Sequence, residues 1–445
     1  MFKSKVALAV AVGVLAQQAG AAGFIEDSKL SVSSRTMYFN NDNREHNSSN
    51  QNETAQGFKL DYLSGFTQGV VGFGVDAQAL WGIHLDGGKG THPDNNTFFP
   101  SDSDGSSVSD WARASANVKA RVSKTEAHVG GALAPNLPIL VSNDGRLLPQ
   151  TFDGATITSK EIDNLTINAG QLEHAYGRAS SNSTGLAVAG GFRDSNKFQY
   201  GGLDYKITKD LLVQYYYSNL QDYYKQNFLG LVHVLPISEG QSFKTDLRYF
   251  DSSSDGKNGE TGYAFNNNGG YAKHAGEVDN TTWSAMFTYT LGSHAILLGH
   301  QRVSDDGGFV WTGEGNVRKD GSTSSLEGNG GSSFYLFTDS MVNQFARAGE
   351  NTTFGQYTYD FASLGVPGLK ASVAYLHGDD IKATSGTGSD ASEWERDMRI
   401  DYVVQTGYLK GFGTSLRQGT YRTNATGASD TDQTRLIFNY TYSFM

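Results

Sequence analysis

The sequence predicts an all-β fold, a transmembrane antiparallel β-barrel, and three observations carry that prediction. Apolar and polar residues alternate along segments of about 10–12 residues, the length a tilted strand needs to cross a bilayer and about twice the usual globular strand. Tyr, Trp and Phe crowd the ends of these segments, and 54 Gly, 23 Tyr and 25 Phe against 7 Pro favour extended chain. Full charges stand in mid-segment on the polar face, which a water-filled lumen tolerates. The rival architecture is a soluble sandwich, in which the apolar face would be a core and the polar face wet.

Residues 1–22 read as an export signal. Lys3 and Lys5 precede the apolar run "VALAVAVGVLA", and "AGAAG" offers small residues for cleavage after Ala21 or Ala22. Their removal takes two of the 35 basic residues and no acid, so the formal charge moves from −11 to −13. That balance argues against nucleic acid as a partner, because phosphate binding needs clustered excess Lys and Arg. With no cysteine in the chain, neither disulfides nor thiolate metal sites are available. No apolar run long enough for a membrane-crossing helix follows the signal.

The alternation then recurs to the end of the chain. "VVGFGVDAQALW" sets Val71, Phe73, Val75, Ala77, Ala79 and Trp81 against Asp76, Gln78 and Leu80. "SDWARASANVKARVSK" sets Ala112, Ala114, Ala116, Val118, Ala120 and Val122 against Arg113, Ser115, Asn117, Lys119, Arg121 and Ser123. A strand shows one set to each face, so an apolar face backs a column of positive charge in an acidic protein. In "KTEAHVGG" the same parity turns Ala127 and Val129 outward and Glu126 and His128 inward. "SFKTDLRYF", "TTWSAMFTYTL", "EWERDMRIDYVVQ" and "TRLIFNYTYSF" behave alike, placing Arg248, Arg399 and Arg435 on the polar face; Arg35 and Arg417 fall there too.

Short connectors (64–69, 363–370) alternate with long polar ones (83–109, 251–280, 303–332, 377–392), the pattern of short periplasmic turns and long external loops. The mature chain of about 423 residues then has room for 16–18 strands or a few more, in a single domain over 23–445.

Residues 132–157, "ALAPNLPILVSNDGRLLPQTFDGATI", break the alternation. Pro135, Pro138 and Pro149 exclude a central strand, and seven Leu, Ile and Val residues between 133 and 148 do not suit a solvated loop. The simplest account folds this segment into the lumen, its apolar side on the wall and its tip "SNDGR", with Arg146, narrowing the pore. An ordinary external loop packed on its neighbours is the alternative.

Several blocks resemble the OprD family of substrate-specific outer-membrane porins: "GFIEDSKL", "SGFTQGVVGFGVDA", "VKARVSKT", "GRLLPQTFDG", "DSMVNQFARAGE", "GVPGLKASVAYLHGDDI" and "DYVVQTG". The likeness spans nearly the whole mature chain. It implies about 18 strands, an inward-folded constriction loop, and an integral place in the Gram-negative outer membrane among lipid and lipopolysaccharide, reached through the barrel-assembly machinery. It also implies passive, selective uptake of small carboxylate-bearing solutes: amino acids, small peptides, or aromatic and cyclic carboxylates. In such porins a column of basic wall residues guides the solute. Here that ladder is expected at Arg113, Lys119, Arg121, His128, Arg146, Arg248, Arg399 and Arg417, weakened where His128 replaces a stronger base. Guanidinium groups suit carboxylates because each offers a planar fork of donors. The competing expectation is that these cations only balance lumen acids such as Asp246, Asp397 and Asp401, in a general diffusion porin of weak selectivity. No acid interrupts the Arg113–Lys119–Arg121 column.

Other patterns are weak. "DDGG" and "DGGKG" lack a full calcium-ligand spacing, and "GGKG" lacks the context of a phosphate loop. Histidines 46, 84, 92, 174, 233, 274, 294, 300 and 377 are scattered, and no nucleophile signature such as G-x-S-x-G in proper context occurs. No enzyme activity, cofactor or metal is expected. The chain is expected as a monomer or weak trimer, and the penultimate Phe444 as its assembly signal.

Overall fold

The computed structural model describes residues 23–445 apart from 46–49, 94–95, 315–329 and 388–389. The export signal and His46 therefore lie outside the described residues. The barrel strands are β1 (Lys29–Asn43), β2 (Gln51–Leu63), β3 (Gly72–Asp86), β4 (Asp110–Val122), β5 (Thr125–Leu133), β6 (Thr151–Ser159), β7 (Leu165–Tyr176), β8 (Phe198–Thr208) and β9 (Leu211–Leu220). They continue as β10 (Tyr224–Ser238), β11 (Gln241–Ser254), β12 (Asp279–Leu291), β13 (His294–Val303), β14 (Asn351–Asp360), β15 (Leu369–Ile381), β16 (Ala391–Val403), β17 (Gly413–Thr423) and β18 (Thr431–Ser443). Each pairs antiparallel with its neighbour in sequence, and β18 returns to β1 from Ser31↔Ser443 to Asn43↔Thr431. The sheet thus closes without a free edge, which hydrocarbon requires.

The outward face decides between barrel and sandwich. Phe73, Trp81, Val129, Leu229, Phe287, Leu298, Ile400 and Leu416 all point away from the protein and stay exposed on the isolated chain. Their alternating partners, among them Leu80, Asn117, Met286 and Glu395, are buried inside. Exposed Trp81, Tyr217, Tyr249 and Trp283 stand toward one end of their strands, and Tyr205, Tyr402 and Tyr442 toward the other. Two aromatic belts flanking an apolar band mark the lipid-facing wall.

One end is joined by tight turns. Glu239–Gly240 links β10 to β11 in two residues, and Gly240 holds the positive φ of 69° that such hairpins demand. The other end carries the loops, here numbered L2 (87–109), L3 (134–150), L4 (177–197), L6 (255–278) and L7 (304–350). The connection between β9 and β10 there is only 221–223, an exception to the long-loop rule. The segment expected to fold inward over 132–157 is shorter at both ends. β5 and β6 pair through a bulge as far as Leu133↔Phe152, so the non-alternating stretch includes two inward wall residues. L3 itself lies inside. Leu147 and Leu148 pack against Met37, Phe39, Leu80, Trp111 and Ile437 of the wall and Phe98 and Phe99 of L2. Ile139 and Leu140 join a second cluster with Phe152, Leu172 and residues of L4 and L7.

Candidate functional site: the lumen constriction

The β3–β5 wall holds the cations that the alternation singled out, and the structure places them in unequal settings. Arg113 is buried. Its guanidinium donates to the carbonyls of Gly177, Ser180 (3.0 Å) and Pro149, between the rings of Trp111 and Tyr176. It fastens L3 and L4 to the wall. Lys119 Nζ is ion-paired with Asp76 Oδ1 at 2.6 Å. This corrects the expectation of a column without acids: the acid comes from β3, where Asp76 sits opposite Asn117, beyond the reach of a pattern read on one strand. Arg121 lies 4.1 Å over the Phe66 ring. His128 bonds Asn117 Oδ1 (2.9 Å) and Glu126 Oε1 (2.7 Å), with Asp76 Oδ2 at 3.6 Å. On β11, Arg248 makes a fork with both oxygens of Asp246 (2.8 and 2.9 Å), donates to the Tyr335 carbonyl (2.8 Å) and stacks on that ring at 3.7 Å. It fastens L7.

The β16–β18 wall is built differently. Arg399, Arg417 and Arg435 are direct cross-strand partners, Arg399↔Arg417 and Arg417↔Arg435, so three guanidinium groups cross three adjacent strands at one level. Arg399 meets Asp401 at 2.5 Å, whereas Arg417 Nε donates to Ser415 Oγ (3.0 Å) and Arg435 Nε to Gln433 Oε1 (2.7 Å). Arg146 from L3 and Arg178 from L4 close on them, and all five line one cavity of about 400 Å³. The L3 tip is set by Arg35, which donates to Asp144 Oδ1 (2.8 Å) and the Arg146 carbonyl (2.6 Å).

L7 adds Phe337, Asp339, Ser340, Met341 and Val342 to the lining. It is held by acids on β16. Glu395 accepts from the backbone N–H groups of Val342 and Asn343, both at 2.8 Å, and Asp397 accepts from Ser340 Oγ at 2.7 Å. Arg178, the contribution of L4 and this stretch of L7 escaped the sequence reading. The available signal was the one used for L3, apolar residues without alternation in a long loop, such as Phe334, Leu336, Phe337 and Phe345.

The charges in the loops feel their burial. Burial lowers the pKa of Arg146, and the guanidinium of Arg435 and then that of Arg178 lower it further. Burial also lowers that of Arg178 and raises that of Asp339. Glu314 of L7, which accepts from Gln150 Nε2 at 2.6 Å, is pushed up to about 7 by burial, against the pull of Arg178, Gln150 and Arg113. No group of three or more His, Asp or Glu side chains is placed to hold a metal ion among the described residues.

A closed barrel with a lipid-facing apolar band and a polar lumen narrowed by its own loops is a passive channel of the outer-membrane type. The comparisons agree. The model of the outer membrane porin, OprD family, matches residues 22–444. Porin D of Pseudomonas aeruginosa is 34% identical over 450 residues, covering 98% of this chain and 96% of that protein. The porin-like protein GalP of Pseudomonas putida is 33% identical over 432 residues, 96% of this chain and 95% of that one. The crystal structure of Pseudomonas aeruginosa OccK8 (OprE) superposes with a TM-score of 0.84 at 45% identity, covering 95% of this chain and all of that one. That of Pseudomonas aeruginosa OpdK with vanillate gives 0.80 at 31%, over 95% of this chain and 100% of that one. The chain belongs to the OprD family: it is an integral outer-membrane porin, a substrate-specific channel for small solutes and not an enzyme, set among outer-membrane lipid and lipopolysaccharide.

Proposed function

We propose that this porin passes small carboxylate-bearing solutes, with a compact apolar or aromatic body, through the arginine cluster of the constriction. The observation that carries the reading is the convergence of Arg146, Arg178, Arg417 and Arg435 on one cavity, none with a carboxylate within 4 Å among the described residues. Each offers forked donors to an arriving carboxylate. Phe337, Met341 and Val342 on the same cavity suit an apolar body. A relative's structure was determined with vanillate, itself an aromatic carboxylate. The lower column of Lys119, Arg121 and His128 contributes a weaker field along the same route, because Lys119 is already neutralised by Asp76. We also infer that residues 1–22 are removed on export, leaving 23–445 as one barrel domain.

Single-channel recording in planar bilayers tests this. Benzoate and a dicarboxylate are expected to block in a saturable way, and free arginine weakly. Block relieved in Arg417→Ala and Arg435→Ala supports the reading; large steps blocked by none of these solutes would leave a general diffusion porin.

A further inference from the structure

The constriction carries more positive charge than its surroundings balance. Five guanidinium groups line the cavity with two carboxylates, Asp339 and Asp397, and Asp401 beside it pairs with Arg399, an excess of two. Among the described residues, the other four arginines hydrogen-bond only neutral acceptors. Arg178 Nη1 donates to Asn143 Oδ1 at 3.0 Å, and Arg435 Nη2 to the Met341 carbonyl at 2.6 Å. Among the described residues Arg146 Nη1 reaches only the neighbouring Gly145 carbonyl (3.1 Å), its guanidinium lies over the Phe39 ring, and its Nε is buried without a hydrogen-bond partner. Neither acid makes an ion pair with these arginines: Asp397 Oδ2 takes Ser340 Oγ while its Oδ1 has no hydrogen-bond partner among the described residues, and Asp339 Oδ2 takes the Phe334 N–H at 3.3 Å.

A buried charge without a partner is costly, and arginine does not shed its proton to escape that cost. The sum of these settings is a standing demand for negative charge that the side chains of the described residues do not meet. The donors also come from several directions: Arg146 from L3, Arg178 from L4, Arg417 and Arg435 from adjacent strands. Donors so dispersed match an acceptor with oxygens on several sides, and the excess of charge matches a dianion better than a halide.

We infer that the resting constriction binds an inorganic tetrahedral dianion, phosphate or sulfate, between Arg146, Arg178, Arg417 and Arg435, and that solutes pass by displacing it. The inference rests on the proposed carboxylate reading and adds a competitor to it. Inorganic oxyanion in the medium then raises the concentration of benzoate needed for half-maximal block by the reciprocal of the fraction of constrictions it leaves empty. It also ties L3 and L4 to the β17–β18 wall, so the constriction loops are quieter when it is bound.

The test is calorimetric titration of the detergent-solubilised barrel with inorganic phosphate and with sulfate, at constant ionic strength balanced by chloride. One saturable site is expected, weakened at least tenfold in Arg146→Gln and Arg178→Gln and unchanged in Lys209→Gln, an exposed turn residue. Arg178→Lys, which keeps the charge without the fork, separates lost charge from a misfolded loop and is expected to bind with intermediate affinity. Added phosphate should shift benzoate block to higher concentration in the wild type. No saturable phosphate or sulfate binding, with arginine-dependent benzoate block intact, overturns the resident anion and leaves the carboxylate channel standing. Loss of both phosphate binding and benzoate block overturns both. Binding abolished merely by exchanging chloride for a bulky organic anion at the same ionic strength would show a halide site and overturn the dianion.

Discussion

The two walls of the lumen carry similar residues and do opposite things with them. On β3–β5, Lys119 has Asp76 and His128 has Glu126 and Asn117, while Arg113 directs its donors to three carbonyls of L3 and L4. On β16–β18, Arg399 has Asp401, but among the described residues Arg417 and Arg435 have only neutral acceptors and face the cavity. A cation with its partner stabilises the place where it sits and projects little field; a cation without one does the reverse. The difference shows that position on the lumen face is not enough to make a residue part of a solute path. What counts is whether the neighbouring strand or the incoming loop already answers its charge.

Removing Arg113 should break this division most visibly. Its three buried donors hold L3 and L4 down, and charge-assisted bonds of this kind contribute about 1.5–3 kcal/mol each. Arg113→Ala is expected to free both loops, raise single-channel conductance severalfold and admit larger sugars in liposome swelling, while the barrel still migrates as a folded species. Unchanged conductance would mean that other contacts hold the loops.

The next contrast compares the walls directly. Arg417→Ala or Arg435→Ala should weaken benzoate block about tenfold, or about 1.4 kcal/mol. Arg121→Ala, whose charge lies over Phe66 toward the tight-turn end, should change it by less than about twofold, the scale of a partly exposed charge. Equal effects from both walls would show that the whole column, and not the constriction, binds the solute. Smaller again is the effect of Lys119. Lys119→Ala alone leaves Asp76 uncompensated, so the reversal potential in a salt gradient should shift toward cations. Lys119→Ala with Asp76→Ala should return it close to wild type, because the pair acts as a unit.

The fold was legible because a barrel strand obeys a period of two from end to end. Every face assigned along β3, β4, β11, β12 and β16 is the face observed, down to Met286 inside and Phe287 outside. The constriction was legible only in part. L3 announced itself through leucines without alternation, but its ends did not, because Leu133 and Phe152 are apolar wall residues that face inward. Lys119 and Asp76 lie on different strands, and finding that pair needs the register between them. Arg178 and Met341 belong to segments without any period, brought to Arg435 only by closure of the barrel and the infolding of three loops. Charge on one strand is a local property of the sequence; the charge left over after neighbours pair is not.

The smallest expected effect comes from Glu314, and it concerns the fastening of the loops. This carboxyl is buried where L7 meets L3, held by Gln150, with Arg178 and Arg113 as its charged neighbours. Burial holds it at about 7, above the ordinary 4.5. The closed arrangement therefore binds the proton more tightly than the open one. Its contribution is fully present below about pH 4.5, declines as the open form ionises alone, and is gone once pH passes about 7. One proton is involved, so the open-to-closed ratio of this contact changes by at most about tenfold per pH unit. Arg113 and the leucines of L3 still hold the loops, which dilutes the effect, and barrel unfolding should not register it because the opening is local. Open-channel noise is the fitting readout: it should rise between pH 5 and pH 8 in the wild type and stay flat in Glu314→Gln. The amide keeps the acceptor for Gln150 and removes the titration, so a slope that survives the substitution would assign the proton to another group and leave L7 fastened by its β16 carboxylates alone.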